Sequence, residues 1–84
     1  MQVDPLIPMI NRIGEFFQAQ PDQQAAQKEI ADHVRLFWEP RMRQSILDFL
    51  TQHPDGQAGT LRLHPLVVAA LHAHKESLLP KLSV

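Results

Sequence analysis

Cysteine is absent from this 84-residue chain, which removes disulfides, thiolate metal ligands and thiol nucleophiles from consideration. That absence fits a reducing compartment without requiring one. Tyrosine is also missing and glycine occurs only three times. No glycine-rich phosphate loop is present, and none of Ser45, Thr51, Thr60, Ser77 and Ser83 lies in a nucleophile-elbow pattern. Catalysis by this chain alone is therefore not expected. Neither charge sign is in excess: the formal net charge is −1, which gives no broad electrostatic footprint for nucleic acid or an anionic membrane. No uninterrupted apolar run approaches the roughly 20 residues that span a bilayer. The N-terminus lacks a basic segment followed by an apolar core. A soluble, unexported protein is expected.

What the chain does have is an ordinary globular share of apolar residues, 44%, and seven prolines that punctuate it. Its length suits one domain over residues 1–84 that buries about 60–65% of its unfolded surface. Small scaffolds without staples keep a margin of only about 3–5 kcal/mol, so docking onto something larger would help this one. Apolar positions recur at helical spacing in four segments. In the first, either Asp4 caps a helix that begins at Pro5 or the helix begins at Pro8. Leu6, Met9 or Ile10, Ile13, Phe16 and Phe17 form its face, and it runs to Ala19 or Gln20. Gly14 marks either a close approach to another backbone or a tolerated surface position. Pro21 or Asp22 opens the second helix, which carries Ala25, Ala26, Ile30, Val34, Phe37 and Trp38. Pro40 opens the third, which runs to about Thr51 with Met42, Ile46, Phe49 and Leu50 inward.

His53-Pro54-Asp55-Gly56 is a strong turn signal, and the loop behind it, to Thr60, is expected to be the most mobile part. Leu61 and Leu63 suit a short extended segment, but without a second strand candidate a sheet is not expected. Pro65 starts the fourth helix, with Leu66, Val67, Ala70, Leu71, His74 and Leu78 on one face, and Pro80 ends it near Leu79. Residues 80–84 are a candidate flexible tail. The fold class is all-α, a small irregular bundle of about four short helices.

Chemistry-bearing residues concentrate between Ile30 and Arg43. Pro40 disfavours a helical Glu39 and cannot continue the preceding ladder, so one helix ends near Trp38 and another begins, leaving a corner. Trp38, the only tryptophan, lies there with Arg35, Arg41 and Arg43. Arg41 and Arg43 fall in the first turn of a helix, where the dipole disfavours cations by some tenths of a kcal/mol; a carboxylate or phosphate would offset that, and Glu39 or Asp48 could serve. Two readings are open. Either Phe37 and Trp38 fill the core while the arginines are solvated or pair with Asp32, Glu39 and Asp48, or the cluster is an interface hot spot, for which Trp and Arg are the favoured types. His33 reads as a packed or capping imidazole, or as a group that touches a partner. His72 and His74 are two apart and face different sides of a helix, and His53 and His64 are scattered, so no metal site is expected.

The run Ala31-Asp32-His33-Val34-Arg35-Leu36-Phe37-Trp38-Glu39-Pro40-Arg41-Met42-Arg43 resembles the signature of the delta subunit of cytoplasmic, NAD-dependent, molybdenum- or tungsten-containing formate dehydrogenases. Met9, Asn11, Ile13 and Phe16-Phe17 upstream, and Leu63, Pro65-Leu66-Val67 and Ala70 downstream, extend the likeness. The resemblance implies a cytoplasmic, non-catalytic small subunit that binds and stabilises the catalytic alpha subunit within a hetero-oligomer with beta and gamma subunits. His33, Arg35, Phe37, Trp38, Arg41, Met42 and Arg43 become the candidate partner-binding residues. The complex would carry a molybdenum or tungsten bis-molybdopterin guanine dinucleotide, iron–sulfur clusters and FMN, none of them in this chain. Two alternatives stand beside it. One is a transient maturation helper for insertion of that cofactor, its arginines meeting phosphate oxygens. The other is a small helix-turn-helix DNA-binding protein, against which the neutral charge and the apolar third helix weigh.

Overall fold

The computed structural model describes residues 2–80. Five helices and one short hairpin follow in order: α1 (Leu6–Phe17), α2 (Gln23–Phe37), α3 (Pro40–Gln52), β1 (Gln57–Ala58), β2 (Leu61–Arg62), α4 (Pro65–Ala73) and α5 (Lys75–Leu78). The all-helical expectation holds, and prolines or short polar side chains mark most of the helix starts.

At α1 the start differs from both placements expected. The chain first turns at Val3–Pro5, with the Leu6 amide donating to the Val3 carbonyl at 2.8 Å, and Asp4 supplies no side-chain cap. Pro8 then sits in the first turn, where its missing N–H leaves no helical bond unmade. Val3 packs against the core. α2 begins as the proline and acid at 21–22 suggest: Asp22 Oδ1 accepts from the amides of Gln24 (3.0 Å) and Ala25 (3.2 Å), satisfying two donors that the helix itself leaves open. The corner is also as expected. Trp38 and Glu39 are both extended, the Trp38 amide still donates to Val34 at 2.9 Å, and Pro40 is the first residue of α3.

The segment expected to be loose, and without a sheet, is instead an antiparallel hairpin pairing Gln57 with Arg62 and Ala58 with Leu61. Gly59, at φ +61°, takes the first of the two turn positions while Thr60 keeps a negative φ, the pattern of a type II′ turn. Gln57-Ala58 has neither β-branched nor aromatic side chains, so periodicity gave no strand signal there. Gly56, at φ +75°, closes the turn after α3 with its amide on the His53 carbonyl at 2.7 Å. The Asn11 side chain ties the hairpin exit to α1, donating to the Arg62 carbonyl at 2.8 Å and accepting the His64 amide at 2.7 Å.

The fourth helix also departs from expectation, breaking at His74 (φ −119°, ψ 22°). Neither glycine nor proline marks the break. Redirected there, the chain brings Leu78 fully into the main core beside Trp38, Ile46 and Leu71. A smaller cluster of Ala26, Ile30, Leu66 and Ala70 lies where α2 crosses α4, flanked by Ile13 and Phe17. Gly14 faces the main core instead: a Cβ placed on it would lie 2.7 Å from Cγ2 of Val67, a residue of that core. The close approach is therefore real, but to a side chain of α4, not to a backbone. The expected tail, beyond Pro80, lies outside the described residues.

Candidate functional site

The corner divides the side chains expected to act together. Trp38 is 6% exposed and part of the main core, and Met42 packs half-buried against it. Phe37, one residue before Trp38, is 72% exposed. Leu36 and Phe37 are successive on α2, about 100° apart, and the chain leaves the helix at the extended Trp38, whose indole is the one that enters the core. Leu36 is also left in solvent.

The cations are likewise separate. Arg35 lies 3.7 Å from Asp32. Among the described residues no carboxylate pairs with Arg41 or Arg43; Asp48 accepts from Gln44 at 2.8 Å instead, and Glu39 gives α3 no side-chain cap. The Arg43 Nε is buried without a hydrogen-bond partner, although the residue as a whole is half-buried. The Lys28 ammonium, donating to Asp32 at 2.8 Å, holds the Asp32 carboxyl below the usual value, and Arg35 adds to the effect.

His33 is brought to something the sequence reading did not assemble. Its ring lies 4.9 Å from Phe37, tilted by 47°. It also lines a groove of about 330 Å³ with Arg12, Ile13, Phe16 and Phe17. Phe16 stands edge-on to Phe17, ring centres 4.9 Å apart, a favourable aromatic geometry. Phe17 reaches inward to the smaller cluster, whereas Phe16 is 76% exposed. Phe16, expected on the buried face, is thus one residue that sequence reasoning placed wrongly. Met9, Ile10, Ile13, Phe16 and Phe17 make a stripe too wide for one contact, and Met9 and Phe16, seven apart on its edge, are the two left outside. Leaving a phenylalanine in water forgoes about 1.5–3 kcal/mol of burial. Two of them at the α1–α2 face form a feature that scattered surface apolar residues do not.

Three of the other histidines have structural partners. His64 Nδ1 accepts the Leu66 amide at 3.0 Å, capping α4, and its Nε2 lies 3.0 Å from Gln18 Oε1. His72 Nε2 lies 2.9 Å from the Pro54 carbonyl, where it donates. His53 leans on Phe49, ring centres 5.1 Å apart. Among the described residues no three His, Asp or Glu side chains gather in a way that would hold a metal ion, and no helix is long and apolar enough to cross a membrane. The inward side of α3 is occupied by Ile46, Leu47, Phe49 and Leu50.

Fold and surface define a small helical chain whose most exposed large apolar side chains, among the described residues, are the phenylalanines Phe16 and Phe37, with cations at the neighbouring corner. Within that class the chain belongs to the family described as NADH-dependant formate dehydrogenase delta subunit FdsD, whose model matches residues 5–71. The matched region takes in α1 to α3, the hairpin and most of α4, and so both the aromatic face and the corner. No curated protein and no solved structure matches the chain.

Proposed function

We propose that this chain is the non-catalytic delta subunit of a cytoplasmic NAD-dependent formate dehydrogenase, and that it binds and stabilises the catalytic alpha subunit. The observation that carries the reading is the family membership over residues 5–71; the exposure of Phe16 and Phe37 on a chain with a small core supports it. The subunit contributes surface, not chemistry. The molybdenum or tungsten cofactor, iron–sulfur clusters and FMN belong to its partners, alpha in direct contact and beta and gamma in the same assembly.

A second reading is a helper that attends insertion of the molybdopterin cofactor and then leaves. Arg41 and Arg43, unpaired with carboxylates at the start of α3 among the described residues, favour it. Residence separates the two. The subunits are co-expressed with this chain tagged, and the stoichiometry of the active enzyme is read after gel filtration. A fixed ratio is expected. A chain absent from pure, active enzyme whose synthesis nonetheless required it would replace the subunit by the helper.

A further inference from the structure

The structure separates the tryptophan corner from the aromatic face, and only one of them offers an unfilled apolar recess. We infer that the docking surface is the α1–α2 face made by Ile13, Phe16, Phe17, His33 and Phe37. We further infer that its occupant is an amphipathic helix of the catalytic subunit that sets an apolar side chain into the groove and a carboxylate against Arg12. The inference rests on the subunit reading above and specifies how that subunit is held.

Charge decides between occupants. The groove lining contains one cation, Arg12, and no carboxylate, and among the described residues Arg12 has no ion-pair partner. A second copy of this face would bring another lining with one cation and no carboxylate, so neither Arg12 would find an acid in the other copy's groove. An anionic lipid surface needs a basic polar face around the apolar one; here Glu15, Glu29 and Asp32 are carried by the same two helices. An apolar partner with an acidic residue is what remains complementary. Its backbone form follows as well. The face is built of helices whose amides are already bonded along their own ladders, so an added strand would find no edge, whereas side chains at helical spacing find a groove. His33 links the two phenylalanines, its ring against Phe37 and its side chain lining the recess with Phe16.

The test is a binding measurement between the co-expressed, cofactor-loaded catalytic subunit and purified versions of this chain: wild type, Phe16→Gln with Phe37→Gln, Arg12→Glu, and Arg62→Glu as an equal charge change on the hairpin. All the altered side chains are exposed, and circular dichroism with a melting curve verifies the fold of each. The double phenylalanine change is expected to weaken binding roughly thirtyfold or more, as loss of hot-spot residues does. Arg12→Glu should weaken it about tenfold, with Arg62→Glu within about twofold of wild type. Should the phenylalanine pair not fold, Arg12→Glu against Arg62→Glu decides alone. Folded variants that bind like wild type overturn the face while leaving the subunit reading intact. A wild type that never binds the catalytic subunit overturns the subunit reading and the occupant with it. Sedimentation showing a dimer of this chain that the phenylalanine changes dissolve would give the face to a second copy.

Discussion

Gly14 shows how a single position can be fixed by its neighbour across the bundle. In an exposed helix, replacing glycine with alanine gains about 1 kcal/mol of propensity. Here the added methyl would stand 2.7 Å from Cγ2 of Val67, a β-branched side chain that is fully buried and has one strongly preferred rotamer. Overpacking of this kind costs about 1–3 kcal/mol, enough to exceed the propensity gain. Gly14→Ala should therefore lower stability by about 1 kcal/mol in chemical denaturation, and Val67→Ala in the same chain should recover part of that loss beyond additivity. Additive effects would show that α1 simply shifts away. His64 is the neighbouring case of substitution by function: an imidazole does the capping that a short polar side chain would do, since Nδ1 reaches the Leu66 amide at 3.0 Å.

Within α2 the charged side is laid out along one exposed strip. Lys28 and Arg35 lie one turn before and one turn after Asp32, at 2.8 Å and 3.7 Å, and the hydrogen bond from Lys28 is the larger cause of its lowered pKa. A carboxyl with a folded pKa below its unfolded one contributes stability above the unfolded value and loses it as pH falls through the folded one. Near neutral pH nothing should change. In acid, below the usual carboxylate range, the helix should lose this support. NMR titration should show the Asp32 midpoint rising toward the ordinary carboxylate value in Lys28→Met, with the acid limb of the melting curve moving the same way. An unmoved midpoint would assign the lowering to something other than Lys28. The opposite end of α2 matters more for docking, because stopping the helix at Phe37 and turning at Glu39-Pro40 puts Trp38 inside and leaves Phe37 out.

For the assembled domain, two apolar clusters and no staples have to suffice, as the chain has no cysteine. Binding at an already folded face adds to stability by mass action: a partner at about a hundred times its Kd contributes about 2.7 kcal/mol. Amides that exchange only through global unfolding, such as those around Leu71 and Val34 in the buried core, should then exchange about a hundredfold more slowly in the complex. Hydrogen exchange read by mass spectrometry on peptides of this chain measures it. Equal rates with and without the catalytic subunit would mean that the partner does not stabilise this fold.

Much of this protein is written locally. Helix starts at Asp22, Pro40 and Pro65, the turn at His53–Gly56 and the corner at Trp38–Pro40 follow from what proline, glycine and short polar side chains do to their own backbone, with no need of distant residues. The run from Ala31 to Arg43 also carried the family resemblance. The hairpin, the break at His74 and the division of the aromatic residues were not legible in the same way. Gln57-Ala58 pairs because the Gly59-Thr60 turn returns Leu61-Arg62 to it. His74 breaks the helix where Leu78 must turn into the core. Phe16 and Phe37 each continue an apolar stripe, and whether such a residue is buried depends on whether another helix lies over it. Periodicity records which side chains share a side of a helix; where the covering stops is set by how α1, α2 and α4 cross, and here it stops short of the two phenylalanines.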